Sequence, residues 1–220
     1  MNYGLQEKDT KTYLTILGSS GDFRMKVDQS TQGAQLRTYE TSDGQRGEKY
    51  ELVYKSVSGF IQAIDIFDGD YGKNLIVDIA FSKEKGVALS IGVATPFGED
   101  LMKKLPNIDF SKSVTLAPYS FEDEKGKQRR GITVTQDGEK KFNAFYDPEK
   151  KENLFGFPEV EEDKDYDKED WKMYFMQCRK FLVKYTEDNI LSAVADGFQV
   201  ADVPDEADNT QDLPGDDIAF

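Results

Sequence analysis

The sequence lacks histidine altogether, which excludes a Ser-His-Asp triad, a histidine general base and any histidine metal ligand. It contains a single cysteine, Cys178, so neither a disulfide within the chain nor a Cys-x-x-Cys metal site can form. Phosphate-loop and Gly-x-Ser-x-Gly motifs are also absent. We therefore expect a protein that binds rather than catalyses, without a cofactor or a bound metal.

Long apolar runs are missing as well. None approaches the ~18 residues that a membrane-spanning helix requires. The N-terminal stretch MNYGLQEKD has neither the basic start nor the apolar segment of a signal peptide. We therefore expect no membrane partner and a cytoplasmic location.

Positive charge is scarce in only one part of the sequence. Lys and Arg total 28 against 42 Asp and Glu, which gives the chain of 220 residues a net charge of −14. Residues 1–154 hold 22 basic and 24 acidic residues, whereas residues 155–220 hold 6 basic and 18 acidic residues. Residues 201–220 contain seven acidic and no basic residues, and we expect them to be disordered. The nearly neutral body can therefore carry a local basic surface.

The body has the alternating apolar and polar pattern of β-strands. Gly59 lies inside one long alternating segment, which indicates a bulge or a sharp bend. One helix fits this region, with Thr95 as its N-cap, Pro96 at its first position and Pro106 after its end. The strands are expected at residues 12–17, 23–27, 35–40, 49–67, 75–81, 87–93, 113–121 and 130–135.

The order of these elements predicts a mainly β fold. A long bent strand, two strands, one helix and two further strands form the pattern of a five-stranded OB-fold barrel. A β-sandwich is the alternative. We expect an N-terminal β extension packed on the barrel at residues 1–47, the OB-fold core at 48–150, a charged linker with an amphipathic helix at 151–198, and a disordered acidic tail at 199–220.

A C-terminal helix is predicted at residues 168–185. Aromatic and apolar side chains recur there at helical spacing and form one stripe. We expect the stripe to pack on the barrel, with Cys178 as a small buried hydrophobic residue and not a nucleophile. The stripe consists of Trp171, Tyr174, Phe175, Cys178, Phe181, Leu182 and Tyr185.

Basic and aromatic residues are interleaved at the connection between the last two barrel strands, which forms one wall of the binding cleft in an OB fold. Single-strand binders need basic groups for the phosphates and exposed rings for base stacking, at about 1–3 kcal/mol per base. Phe60, Phe67 and Phe142 are expected to be core residues instead. The expected ssDNA-binding residues are Arg37, Tyr39, Phe81, Lys83, Lys85, Tyr119, Phe121, Lys125, Lys127, Arg129 and Arg130.

The acidic tail resembles the C-terminal peptide of bacterial single-stranded DNA-binding proteins (SSBs), in which acidic residues precede Ile-Pro-Phe. The sequence here is Asp216-Asp217-Ile218-Ala219-Phe220, with alanine in place of the proline. The body resembles the larger OB-fold SSBs of tailed phages, which carry extra elements on the barrel. This resemblance favours a monomer or dimer over the tetramer of the compact bacterial SSBs.

The resemblance implies a protein that coats ssDNA during replication, recombination or repair, in a bacterial host if a phage encodes it. The tail would recruit replication or recombination proteins such as a polymerase, a primase or a helicase. The tail residues implied in partner binding are Asp212, Asp216, Asp217, Ile218 and Phe220.

Two other functions stay open from the sequence. An acidic protein-interaction module, such as a DNA mimic or a replication or virion accessory factor, would explain the net charge without a DNA site. A metal-dependent nuclease would need several carboxylates in one pocket, and Asp65, Asp68, Asp70 and Asp78 are the candidates. Asp-Gly-Asp is also ordinary turn chemistry, which favours a structural role for Asp68 and Asp70.

Overall fold

The computed structural model describes residues 11–41, 43–70, 72–161 and 163–198, and the fold is mainly β. The strands are β1 (Tyr13–Leu17), β2 (Asp22–Val27), β3 (Gln35–Glu40), β4 (Arg46–Tyr54), β5 (Val57–Gly69), β6 (Gly72–Ala80), β7 (Gly86–Gly92), β8 (Val114–Glu122), β9 (Gln128–Gln136), β10 (Glu139–Lys141), β11 (Tyr146–Asp147) and β12 (Glu152–Asn153). The helices are α1 (Pro96–Met102), α2 (Lys168–Tyr185) and α3 (Leu191–Gly197), with a 3₁₀ turn at Leu105–Asn107 and a π turn at Thr186–Ile190.

Strands β1 to β10 form one mixed sheet in the order β10-β9-β8-β5-β6-β7-β1-β2-β4-β3. The prediction of a single long strand at residues 49–67 is wrong. One strand ends before Lys55, another begins after Ser56, and the two pair with different neighbours. Strand β4 pairs with β2 and β3, whereas β5 pairs with β6 and β8. The apolar alternation continues across the break, so the sequence pattern does not reveal the change of partner.

Gly59 lies where β5 changes partner, and the irregularity in the β5 ladder follows it, between Ile61 and Ala63. Residues 57–59 pair with β8, and the ladder to β6 begins at Phe60. A Cβ atom on Gly59 would collide with the carbonyl oxygen of Ala80 on β6. The missing side chain therefore lets the two ladders meet at one residue.

The outer edge of β9 is covered at Ile132 by one side chain of α1 and one of the turn that follows it. The Asp100 carboxylate accepts a hydrogen bond of 2.7 Å from the Ile132 backbone N–H, and the Lys104 ammonium donates one of 2.7 Å to the Ile132 carbonyl. Among the described residues no ladder joins β7 to β9, and β7 instead pairs in parallel with β1. At this edge, two charged side chains thus form the hydrogen bonds that a neighbouring strand would otherwise supply.

Removing the Asp100 carboxylate should destabilise the protein. In Asp100→Ala the Ile132 N–H loses its acceptor, and an unsatisfied buried donor costs about 1–3 kcal/mol. Urea unfolding at neutral pH measures the change. Lys184→Ala is the control, because it removes only an exposed ion pair with Asp188 and should leave the free energy of unfolding almost unchanged. Equal stability of the two variants would contradict the edge-covering role.

The core lies between the sheet and the helices. Thr95 caps α1 by accepting a hydrogen bond from the Gly98 N–H, as predicted, and the α1 side chains Phe97 and Leu101 are buried. Helix α2 has the predicted bounds, and Cys178 on it is buried. None of the helices in the described part of the chain has both the length and the apolar character needed to cross a bilayer.

Phe145 anchors α2 to the body. Its ring is 1% exposed and lies 5.4 Å from the Phe181 ring and 4.8 Å from the Tyr185 ring, between centroids, in edge-on geometry. Phe157 stacks on the same ring at 5.7 Å. Arg179 of α2 adds an ion pair of 2.6 Å with Glu99 of α1. The second half of α2 is therefore packed against the body as the stripe predicts.

Candidate nucleic-acid interface

The turn between β8 and β9 is organised by one carboxylate. Asp123 Oδ1 accepts hydrogen bonds from the backbone N–H groups of Lys125 (3.0 Å) and Lys127 (2.9 Å), and Gly126 has the positive φ of 73° that the turn needs. The Lys127 backbone bond and the Arg129 guanidinium, 2.8 Å away, hold the pKa of Asp123 below its usual value. The turn is therefore fixed while both lysine side chains are exposed.

Two aromatic rings lie on the outer face of β8 beside this turn. Tyr119 and Phe121 have ring centroids 5.8 Å apart, and Phe121 is 53% exposed. The Tyr119 ring extends over Gly131 on the paired strand, where a Cβ would come within 2.5 Å of the phenol oxygen. Burial raises the pKa of the Tyr119 hydroxyl, so the phenol stays neutral at physiological pH.

These rings line an open depression of about 580 Å³ together with a basic side chain. Register pairs Phe121 with Arg129, which places both side chains on the same face of the ladder. Thr133 and Asp123 complete the lining. A ring surface next to a guanidinium can stack a base and attract its phosphate. We call Lys125, Lys127, Arg129 and Arg130 the basic hairpin.

Arg130 points the other way from Arg129 because successive strand residues alternate faces. Its Nε lies 3.4 Å from the Ser120 Oγ, and its side chain lines a smaller cavity of about 280 Å³ between β1, the end of β7 and the start of α1. The basic hairpin therefore presents charge to both faces of the β8–β9 ladder. The sequence grouped the two arginines without separating these directions.

The predicted residues Phe81, Lys83 and Lys85 form the turn between β6 and β7, away from the basic hairpin. Phe81 is half-buried and packs against the core, while both lysines are exposed. The turn follows the end of β6, which lies near the first residues of β8. The basic hairpin lies at the other end of β8, after its last residue. The length of β8 places the two lysine groups roughly 26 Å apart along the strand.

Arg37 and Tyr39 lie on β3, at the opposite edge of the sheet order. The Arg37 guanidinium donates two hydrogen bonds, of 2.7 and 3.1 Å, to the Glu51 carboxylate. Its central carbon and the Lys49 ammonium each lie 5.7 Å from the Tyr39 ring centroid. This arginine therefore already neutralises a buried carboxylate, and the structure does not bring it near the basic hairpin.

Glu51 makes this cluster sensitive to acid. Burial alone would raise its pKa, but hydrogen bonds from Arg37 and Lys49 outweigh burial and lower the pKa to about 2. Because its pKa is lower in the folded chain, the Glu51 carboxylate stabilises the fold above the pKa of the unfolded chain, which is near 4.5. This stabilisation is lost as the pH falls toward 2.

The Glu51→Gln variant tests this dependence, because it keeps the shape and removes the charge. We expect it to be less stable than the parent by about 3 kcal/mol at pH 7, and the gap to narrow as the pH falls from 4.5 to 3. Urea unfolding of the parent and the variant at pH 7, 4.5 and 3 measures this difference in the free energy of unfolding. A gap of constant size across this range would contradict the ion-pair account.

Two of the three aromatic residues expected in the core are exposed. Phe67 is 44% exposed, and with Tyr13, Asp65 and Asp78 it lines a cleft of about 470 Å³ on the outer face of the sheet. The sequence signal for the exposure of Phe67 is its spacing from Asp65, since alternate residues of a strand share a face. Phe142 is 72% exposed. Phe60 is half-buried.

The described residues contain no group of three or more Asp, Glu or Cys side chains that could hold a metal ion. Asp78 pairs with Lys11 at 2.6 Å, and Asp68 with Lys73 at 3.4 Å. The predicted tail residues, 212–220, lie outside the described residues. Comparison with protein-family models, with curated proteins and with solved structures finds no match to this chain.

Proposed function

We propose that this protein binds single-stranded DNA, without sequence preference, through the outer face of β8–β9 and the basic hairpin. The observation that carries the proposal is the ring pair of half-buried Tyr119 and exposed Phe121, which lies beside Arg129 on one open depression. Stacking tolerates any base, because every base has a π-face, and the neighbouring cations meet the phosphates. The near-neutral charge of residues 1–154 supports the proposal, since a DNA mimic needs acids on its folded body.

We also propose that β5 to β9 and α1 form a variant of the OB-fold barrel. In its support, β5 is shared by two ladders, and α1 lies between the third and fourth of these strands. The β1–β2 hairpin lies where a closed barrel would join its third and fifth strands. Its turn contacts β8, since Ser120 donates a hydrogen bond of 3.2 Å to the Gly18 carbonyl.

A titration tests the proposal. Fluorescence anisotropy of a labelled thymidine oligonucleotide is followed at 50 and 200 mM salt, beside a duplex and a single-stranded RNA of equal length. We expect ssDNA to bind most tightly and to lose affinity steeply at the higher salt concentration. Absence of saturable ssDNA binding at 50 mM salt would overturn the proposal.

We also propose that the acidic segment 201–220 recruits replication or recombination proteins. Its support is the sequence resemblance, with Asp216 and Asp217 before Ile218 and Phe220. Deleting residues 212–220 should leave ssDNA affinity equal or higher, because it removes acidic charge. A large loss of ssDNA affinity in this deletion would contradict the proposed division of labour.

A further inference from the structure

The first half of α2 carries aromatic rings that the sheet does not cover. Trp171 stacks on Phe175 with centroids 5.8 Å apart, Tyr166 lies 4.8 Å from Trp171, and Tyr174 lies 5.5 Å from Phe175. We call these four residues the ring cluster. Trp171 is 39% and Phe175 46% exposed, so the stripe expected to pack on the barrel does so only in its second half.

The ring cluster is held in place before any partner arrives. The Tyr174 hydroxyl donates a hydrogen bond of 3.2 Å to the Pro158 carbonyl, and the Tyr166 hydroxyl accepts one of 3.1 Å from the Glu161 N–H. Asp167 caps the helix through a capping box with Asp170. Rings fixed in this way lose little conformational entropy on binding, which favours affinity.

The ring cluster has the composition of a protein-binding hot spot, in which Trp and Tyr are enriched. Met173 and Met176 are also exposed in the first half of α2, but helical spacing places them on the side of the helix away from Trp171.

The surroundings of the ring cluster are acidic. Residues 158–170 contain eight acidic residues and two lysines. Lys164 pairs with Asp170 at 2.7 Å, and Lys172 with Glu169 at 3.6 Å. Glu159, Glu161, Asp163 and Asp165 are exposed, and none of them forms an ion pair with a Lys or Arg in the described part of the chain.

We propose that the ring cluster is a docking site for a basic amphipathic segment of a partner protein. Its apolar side chains cover the rings, and its Lys or Arg side chains meet the acidic rim, by which we mean Glu159, Glu161, Asp163 and Asp165. Charge selects this occupant. A second copy of this chain would bring the same acidic rim, and residues 201–220 carry seven more acids, so both would be repelled. Nucleic acid is repelled for the same reason.

Trp171 is the only tryptophan, so its emission reports directly on the site. The probe is a synthetic 18-residue peptide of Lys and Leu with helical amphipathic spacing and no tryptophan, added to the full-length protein. We expect a saturable blue shift, because the peptide desolvates the indole. A peptide with Glu in place of Lys should bind at least about tenfold more weakly.

Matched variants separate the site from general attraction by an acidic protein. Phe175→Ala should raise the peptide dissociation constant at least about fivefold, whereas Phe142→Ala, which removes a more exposed ring elsewhere, should change it less than about twofold. Replacing Asp163 and Asp165 with Asn should weaken binding about threefold, and replacing Asp205 and Asp208 with Asn should not.

Three outcomes would overturn the proposal. Equal effects of the rim and tail Asn variants would mean that the peptide follows overall charge. An emission shift of Trp171 on deletion of residues 212–220, without peptide, would identify the chain's own tail as the occupant. Dimerisation abolished by Phe175→Ala in sedimentation would identify a second copy. None of these results depends on whether the β8–β9 surface binds ssDNA.

Discussion

Replacing all four residues of the basic hairpin with alanine should lower the affinity for ssDNA about 100-fold at 0.1 M salt. Lys125 and Lys127 are exposed at the tip of a turn that Asp123 fixes, so their charges meet phosphates without further ordering of the backbone. The plot of log affinity against log salt should become less steep by about 0.7 for each phosphate that the variant no longer neutralises. Anisotropy titrations at four salt concentrations measure both quantities.

A matched control removes the same amount of charge from another surface. Four exposed lysines outside the proposed interface are replaced with alanine, namely Lys150, Lys172, Lys180 and Lys184. Because both variants have the same net charge, a difference between them reports on position alone. If the control loses as much affinity as the basic-hairpin variant, the binding is a general charge effect and the assigned surface is wrong.

Phe145→Ala should be the most destabilising of the single substitutions proposed for this protein. The ring is 1% exposed and contacts Phe157, Phe181 and Tyr185, so its removal leaves a cavity between α2 and the body. A buried Phe→Ala substitution costs about 3–5 kcal/mol in the free energy of unfolding. Urea unfolding measures the loss, and amide hydrogen exchange along α2 shows whether the helix detaches first.

Phe142→Ala is the control for this substitution, because it removes the same ring three residues earlier, where it is 72% exposed. Its effect on the free energy of unfolding should stay below about 0.5 kcal/mol. A loss below about 1 kcal/mol for Phe145→Ala would show that α2 is held to the body by other side chains.

Local structure follows from the sequence wherever one segment carries the whole signal. Helix α2 has the predicted bounds, because an apolar stripe at helical spacing lies within residues 168–185. Thr95 and Pro96 mark the start of α1 in the same way. Gly59 marks the change of partner in β5, since only glycine fits beside the Ala80 carbonyl.

Such local patterns do not predict which distant strands pair with one another. Strand β1 joins β7 in parallel, with Tyr13 opposite Ala88, and no residue near either position signals this contact. The split of the expected strand 49–67 has the same cause, since β4 and β5 alternate alike but pair with different neighbours. A barrel of five strands and a continuous sheet of ten therefore share one local pattern.

The candidate interface was partly predictable for a similar reason. Interleaved charge and aromatic residues identify the β8–β9 turn, because all of them lie within a dozen residues. Exposure of Phe67 depends on the bulge between Ile61 and Ala63, which shifts the faces of β5. The bidentate pairing of Arg37 with Glu51 depends on the register of β3 and β4, which the sequence does not show.

Photo-cross-linking of the protein to an oligonucleotide that contains 5-iododeoxyuridine tests whether ssDNA stacks on the β8–β9 surface. Irradiation links the halogenated base to an aromatic side chain stacked on it, and mass spectrometry of the digested complex identifies that residue. We expect cross-links to Tyr119 or Phe121, whose rings line the open depression beside Arg129. Cross-links confined to Tyr39, or to Tyr13 and Phe67, would contradict this expectation and place the ssDNA on another part of the sheet.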